Sequence, residues 1–256
     1  MKRFFQILLF SLFTASVVAL MVYIYIIHEK EPMKKIEIQV ARPTEKGFVN
    51  KEEIYNNIKQ HLSDTNRLKD IDISLIEESL AKNPWIDNID AYTDIDGNLI
   101  VNIKESIPVL RVFNQNGNSF FLDNNGKLLP LSKKYTPRLL VANGYIKTNP
   151  LKGHNYINDT VYKKDDLKKL LFITRKLNRY PFLKSLISEI YLNSKNEFDL
   201  IPIVGNQTIK LGDTVNITHK LENLIIFYKK SLVYDGWDKY KTVNLKYRNQ
   251  IVCTKN

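Results

Sequence analysis

The feature that most constrains this chain is an uncharged apolar stretch near its N-terminus, which runs from Phe4 to Ile27. As an α-helix, these 24 residues would extend roughly 36 Å, which is more than the ~30 Å hydrocarbon core of a bilayer. A charged residue at the centre of such a helix would cost about 3 kcal/mol on insertion, and the stretch contains none. The sequence therefore predicts one transmembrane helix over residues 4–27.

The transmembrane helix is predicted to be an uncleaved signal anchor. A cleaved signal peptide has an apolar segment of only ~7–15 residues that ends in small residues, whereas this run continues to two tyrosines suited to the far interface. Lys2 and Arg3 favour a cytoplasmic N-terminus, although lysines after the helix weaken the contrast. We expect a cytoplasmic tail at 1–3, a stalk at 28–34 and an exported remainder.

The charge balance of the chain is basic but has no nucleic-acid signature. The formal net charge is +11, and lysines are mixed with acids, as in Lys51-Glu52-Glu53, without an arginine-rich run. This pattern argues against nucleic-acid binding.

Cys253 is the single cysteine, which excludes an intramolecular disulfide and a zinc ribbon. The exported part must therefore be held together by its core and its sheets.

The segment at 35–106 has the pattern of a small α+β module. Alternating apolar residues from Ile36 onward predict a strand. Two helices follow, the first capped by Asn50 and the second starting near Asp72 or Ser74 and ending before Asn83-Pro84. Two further alternating runs flank a turn rich in Asp, Gly and Asn, which indicates a hairpin. The predicted order is strand, helix, helix, strand, strand.

The segment at 107–256 is predicted to be a mostly antiparallel β domain with two helices, so the fold class is α+β. The helices are predicted at 163–178 and 217–232 from their apolar spacing. A final pair of strands is predicted at 241–247 and 250–253. Earlier candidate strands, separated by turn signals, lie at 109–113, 119–123, 127–130, 139–141, 187–192, 198–203 and 208–211.

No catalytic or metal-binding constellation is apparent in the sequence. The four histidines are far apart and lack metal-ligand spacing. Asp94 and Asp123 belong to segments that resemble calcium loops, but each lacks the bidentate Glu required at the twelfth position. We therefore predict two turns there, and we predict no catalytic residue, metal site, cofactor or small-molecule substrate.

Four stretches behind the membrane helix form a characteristic set. They are Asn83-Pro84-Trp85-Ile86-Asp87, then 98–103 followed by Glu105-Ser106-Ile107-Pro108-Val109-Leu110-Arg111, then 121–132, and finally 236–253. In this order the set resembles the FtsQ/DivIB family of bacterial cell-division proteins over nearly the whole chain. The resemblance implies a POTRA domain at 35–106 and a β domain with C-terminal partner-binding strands at 107–256.

The resemblance also implies a function. Family members are non-enzymatic divisome scaffolds that bind FtsB and FtsL and link early ring components to septal peptidoglycan synthesis. The chain would then be a single-pass inner-membrane protein at the septum, with a periplasmic C-terminal domain. A POTRA-type transport component remains an alternative, and so does a eukaryotic type II glycoprotein, because Asn158, Asn206 and Asn216 match the N-glycosylation pattern.

The last two predicted strands are the candidate partner-binding site. A free sheet edge presents unpaired backbone groups, to which a partner segment can add as a further strand, while basic and aromatic side chains supply specificity. The candidate residues are Trp237, Tyr240, Lys241, Val243, Leu245, Lys246, Tyr247, Arg248, Gln250 and Val252. The alternative is that Trp237 and Tyr240 are interior and that the lysines only protect the edge against aggregation.

Overall fold

A computed structural model describes residues 2–30, 32–62, 67–151, 153–163, 166–232, 236, 239–248 and 250–256. The chain divides into two compact units, Met1–Ser106 and Ile107–Asn256. The first unit contains a long helix and a three-stranded sheet, and the second contains a nine-stranded sheet with several helices. The architecture is mixed α+β, as the sequence predicts.

Helix α1 (Lys2–Lys30) contains the apolar stretch. Its segment Phe4–Tyr25 has a mean hydropathy of 2.5 and no buried residue, so it is long and apolar enough to cross a membrane. The hydroxyl groups of Ser11, Thr14 and Ser16 each donate to a backbone carbonyl three residues earlier, at 2.8 to 2.9 Å. These polar groups are therefore satisfied within the helix, which a hydrocarbon environment requires.

The sheet of the first unit has the strand order β1-β3-β2, with β3 parallel to β1 and antiparallel to β2. Its core is apolar, and Ile58, Ile76 and Leu99 are fully buried. The predicted order of strand, helix, helix, strand, strand is confirmed. The elements are β1 (Ile36–Ala41), α2 (Lys51–Gln60), α3 (Ile73–Ala81), β2 (Ile86–Thr93) and β3 (Leu99–Glu105).

Local hydrogen bonds set the boundaries of these elements. The Asn50 side chain accepts from the N–H of Glu52 (2.8 Å), and the Asp72 side chain accepts from the N–H of Leu75 (2.9 Å), so each caps the start of its helix. Asp94 lies in the turn that the sequence predicts between β2 and β3. Its carboxylate accepts hydrogen bonds from the backbone N–H and the side-chain amide of Asn98, which hold the pKa of this carboxyl below its usual value.

The second unit is built on a nine-stranded sheet with the order β12-β11-β10-β9-β8-β7-β4-β5-β6. Five neighbouring pairs are antiparallel and three are parallel. The strands are β4 (Pro108–Phe113), β5 (Ser119–Asp123), β6 (Leu128–Leu129), β7 (Leu140–Gly144), β8 (Ile187–Leu192), β9 (Phe198–Pro202), β10 (Thr208–Gly212), β11 (Tyr240–Asn244) and β12 (Val252–Lys255).

Among its described residues this unit has three α-helices, where the sequence predicts two. Helix α4 (Leu167–Asn178) and helix α6 (Ile217–Phe227) are the predicted pair, and α6 continues into a π-helical turn at Tyr228–Leu232. The additional helix is α5 (Pro181–Leu186). Pro181 lies beyond the end of α4 and begins α5, because proline is tolerated at the first helical position, where the helix has no N–H bond to lose.

The largest buried side chain of the second unit is Tyr228. Its ring packs edge-on against Phe182 and Phe227, and its hydroxyl accepts a hydrogen bond of 2.9 Å from Nε2 of Gln207. Burial raises the pKa of Tyr228 to about 12. The phenol is therefore held in its neutral form in the folded chain.

This burial predicts a loss of stability at high pH. Below pH 10 the phenol is protonated in both states, but between about pH 10 and 12 the unfolded chain alone releases the proton. The free energy of unfolding should therefore fall by about 2 kcal/mol over this range through Tyr228. Urea titrations at several pH values measure the free energy of unfolding of the chain and of Tyr228→Phe. The variant has no phenol to titrate, so the difference between the two pH dependences is the effect of Tyr228. Equal slopes against pH in the two proteins would contradict the prediction.

Candidate functional site

Strand β12 forms one edge of the nine-stranded sheet. It pairs with β11 in antiparallel register, with Cys253 opposite Val243 and Val252 opposite Asn244. Strand β11 in turn pairs with β10 in parallel register, with Val243 opposite Ile209. Within the residues that the structure describes, β12 has one neighbouring strand. The other side of its backbone is available for a further strand.

The backbone groups of β12 alternate between β11 and the outer side. The N–H of Asn256 donates to the carbonyl oxygen of Lys239 at 3.2 Å. Because inward and outward groups alternate along an antiparallel strand, this bond directs the backbone groups of Thr254 toward β11 as well. The N–H and C=O groups of Cys253 and Lys255 then point outward. These are the groups that an added strand would bind.

The structure places three of the predicted site residues against the core. The side chains of Val243 and Leu245 are buried in the apolar cluster of the second unit. Tyr240 is half-buried, and its ring lies 5.7 Å from that of Phe227. The amine of Lys239 lies 5.6 Å from the Tyr240 ring centre. Tyr240 is thus partly interior, as the alternative interpretation allows.

Lys246 is exposed but already has an acidic partner. Its amine contacts both carboxylate oxygens of Glu197 at 3.1 Å. Its backbone N–H donates to Oδ1 of Asn244 at 3.0 Å, which forms a local turn. This turn ends β11 at Asn244, three residues before the predicted end at Tyr247. The charge of Lys246 is therefore balanced within the chain.

Five further predicted side chains lie on the surface, in addition to Lys246. Tyr247 is 52% exposed and Val252 is 42% exposed, and three polar or basic neighbours are exposed with them. We call this surface, together with the outward backbone of β12, the C-terminal edge. Its side chains are Lys241, Tyr247, Arg248, Gln250 and Val252. The remaining predicted residue, Trp237, lies outside the described residues.

A groove of about 190 Å³ adjoins the C-terminal edge. Tyr247 and Arg248 form one wall, and the first turns of α6 form the other, with His219 and Asn223. These two helical residues are absent from the predicted site. Their four-residue spacing on α6, offset from the buried positions Ile217, Leu221 and Leu224, is the signal that could have indicated a polar stripe outside the core.

The groove also contains an internal ion pair. The amine of Lys220 donates to Oδ1 of Asp213 at 2.8 Å and to the backbone carbonyls of Asp213 and Leu211 at 3.0 Å. This hydrogen bond lowers the pKa of the Asp213 carboxyl. Since the pair balances itself, the local charge of the C-terminal edge comes from Lys241, Arg248 and the end of β12.

The stretch at 83–87, which contains Trp85, and the stretch that begins at Glu105 meet in the first unit. The Trp85 ring stacks on Phe48 with ring centres 3.6 Å apart, and the Trp85 carbonyl accepts the N–H of Ser106 at 2.8 Å. The buried carboxylate of Glu105 accepts the N–H groups of Phe48 (2.8 Å) and Val49 (3.3 Å). These elements therefore have a structural role in joining the β1–α2 loop to the end of β3.

No group of three or more potential metal ligands occurs among the described residues.

Comparison with known families gives two matches. A family model described as "FtsQ/DivIB, C-terminal related" matches residues 107–254. A model of a POTRA-like domain matches residues 32–104. The two matches together cover both sheets.

Two curated relatives are similar to the chain at modest identity. The cell division protein FtsQ of Rhodothermus marinus is 24% identical over 191 residues, which are 72% of this chain and 66% of the relative. The cell division protein FtsQ of Geotalea daltonii is 26% identical over 182 residues, which are 70% of this chain and 62% of the relative. The matched parts thus span just under two thirds of each relative's length.

Proposed function

Because the chain belongs to the FtsQ/DivIB family, we propose that it serves bacterial cell division as a non-enzymatic, membrane-anchored scaffold. In this role it binds FtsB and FtsL at the septum and links early ring components to septal peptidoglycan synthesis. The similarity to two proteins named as cell division protein FtsQ supports this proposal.

The observation that carries the proposal is the position of β12 at the sheet edge. The outward N–H and C=O groups of Cys253 and Lys255 offer a partner a backbone to pair with, which gives affinity by β-augmentation. The exposed side chains of Tyr247, Arg248 and Val252 flank that backbone and would select the partner. We propose that a strand from FtsB adds to β12 and that Arg248 and Lys241 face its acidic residues.

The proposed placement in the cell follows from α1. The helix crosses the inner membrane once over residues 4–27, with residues 1–3 in the cytoplasm and a stalk at 28–34. The POTRA domain at 35–106 and the β domain at 107–256 are periplasmic. Tyr23 and Tyr25 lie at the end of the apolar segment, where an aromatic ring suits the membrane interface.

Replacing Tyr247 with glutamate tests the proposed partner surface. We expect binding of the periplasmic segment of FtsB to weaken about tenfold, because an exposed aromatic anchor is lost and a negative charge enters a basic surface. A pull-down with the full chain in detergent measures binding, and a thermal melt reports folding.

The matched control for this test is Tyr145→Glu. Tyr145 is 48% exposed and belongs to the same unit but not to the C-terminal edge. We expect it to leave binding unchanged. If Tyr247→Glu binds FtsB like the unaltered chain while melting normally, the proposed contact is wrong.

A further inference from the structure

A groove of about 880 Å³ lies at one end of the nine-stranded sheet in the second unit. Its wall contains the first residues of β4, β7 and β8, the last residue of β9 and the ends of α4 and α5. The groove shares no residue with the C-terminal edge. We refer to it as the strand-end groove.

The strand-end groove exposes apolar side chains that folding has not covered. Ile107 and Ile203 line it and are 46% and 50% exposed, and Val204, the next residue, is equally exposed. The half-buried Leu139 also lines the groove, as does Leu183, whose side chain is buried. Contiguous apolar surface of this kind on a folded unit is typical of a site that another molecule covers.

Two cations stand at the strand-end groove, and no lining residue is acidic. Arg138 and Lys184 are exposed, and neither side-chain cation has a hydrogen-bond or ion-pair partner in the part of the chain that the structure describes. The hydroxyl groups of Ser185 and Ser188 already donate to backbone carbonyls at 3.0 and 3.1 Å. The two side-chain cations are therefore the groups that would favour a negatively charged ligand.

We propose that the strand-end groove binds an acidic, apolar peptide segment of a partner protein. Apolar side chains of that segment would contact Ile107, Leu139 and Ile203, and flanking Asp or Glu residues would pair with Arg138 and Lys184. A peptide fits better than a lipid chain, because Ile107 and Ile203 stay about half exposed and the groove is too open to enclose an acyl chain. This binding site is additional to the C-terminal edge.

Photocrosslinking from within the groove tests the proposal. A photoreactive amino acid replaces Ile203 in the full chain, produced in its native cells, and the captured molecule is sequenced by mass spectrometry. We expect a protein segment in which apolar residues are flanked by acids. The matched control position is Ile226, which is 51% exposed but lies on α6. A captured lipid, a segment without acidic residues, equal capture at Ile226, or no capture would each overturn the proposal.

The charges are tested with a synthetic peptide of the captured segment. In nanodiscs, the double variant Arg138→Glu/Lys184→Glu of the full chain should bind this peptide at least about tenfold more weakly than the unaltered chain does. The control Lys229→Glu/Lys230→Glu makes the same charge change on another surface and should bind normally. Undiminished binding by the groove variant would overturn the proposal. Tyr247→Glu should leave capture at Ile203 unchanged, so this result does not depend on the FtsB surface.

Discussion

Replacing Cys253 with proline is expected to weaken FtsB binding by about a hundredfold, or about 2.7 kcal/mol. The N–H of Cys253 points away from β11, so proline removes a donor that only an added strand would use. The partner carbonyl would lose its hydrogen bond and meet the proline ring. Pairing between β11 and β12 should persist, since the N–H of Asn256 bonds to Lys239 and alternation directs the N–H of Thr254 to the same side.

The matched control for the proline variant is Cys253→Ala, which keeps the backbone N–H. Both variants lose the half-buried thiol, so packing losses are shared between them. Titration of the full chain in nanodiscs with the periplasmic segment of FtsB would measure both dissociation constants. If the two variants bind equally well, the outward side of β12 is not the site of strand addition.

Replacing Glu105 with alanine is expected to lower the free energy of unfolding of the first unit by about 4 kcal/mol. The change removes the acceptor for two buried N–H groups, each of which costs about 1–3 kcal/mol when left unpaired. It also removes the carboxylate that lies 3.9 Å from Nη1 of Arg42. The β1–α2 loop carries Phe48, so the stacking against Trp85 should loosen as well.

Amide hydrogen exchange of β3 in the full chain measures this effect, because its slowest amides report the free energy of opening of the unit. The matched control is Glu45→Ala, at an exposed position in the same loop, which should change stability by less than about 0.5 kcal/mol. Exchange in the Glu105 variant as slow as in the control would show that the buried carboxylate contributes little.

The sequence indicated most of the elements because their signals are local. The candidate strands between turn signals match the observed bounds of β5 and β8, and the predicted Asn50 cap and the helix start near Asp72 match the starts of α2 and α3. Propensity did not reveal α5, since Pro181 can mark either the end or the start of a helix. The π-helical turn after α6 also has no local signal.

The candidate site was predicted less completely because its details depend on distant residues. Alternation separates Val243 and Leu245 from their neighbours, but it does not tell which face of the last strands meets the core. Lys246 pairs with Glu197, which is 49 residues earlier in the chain. The strand-end groove likewise exists only where four strand ends and two helices meet, so no short motif could have indicated it.

The connection between the two sheets has a mechanical consequence. Strand β3 ends at Glu105 and β4 begins at Pro108, and the N–H of Ser106 is already bonded to Trp85. The two connecting residues offer at most ~7 Å of slack. A partner that pulled on β12 would therefore load the first sheet almost at once. Such a short connection suits the transmission of tension between the two sheets, rather than the role of an elastic tether.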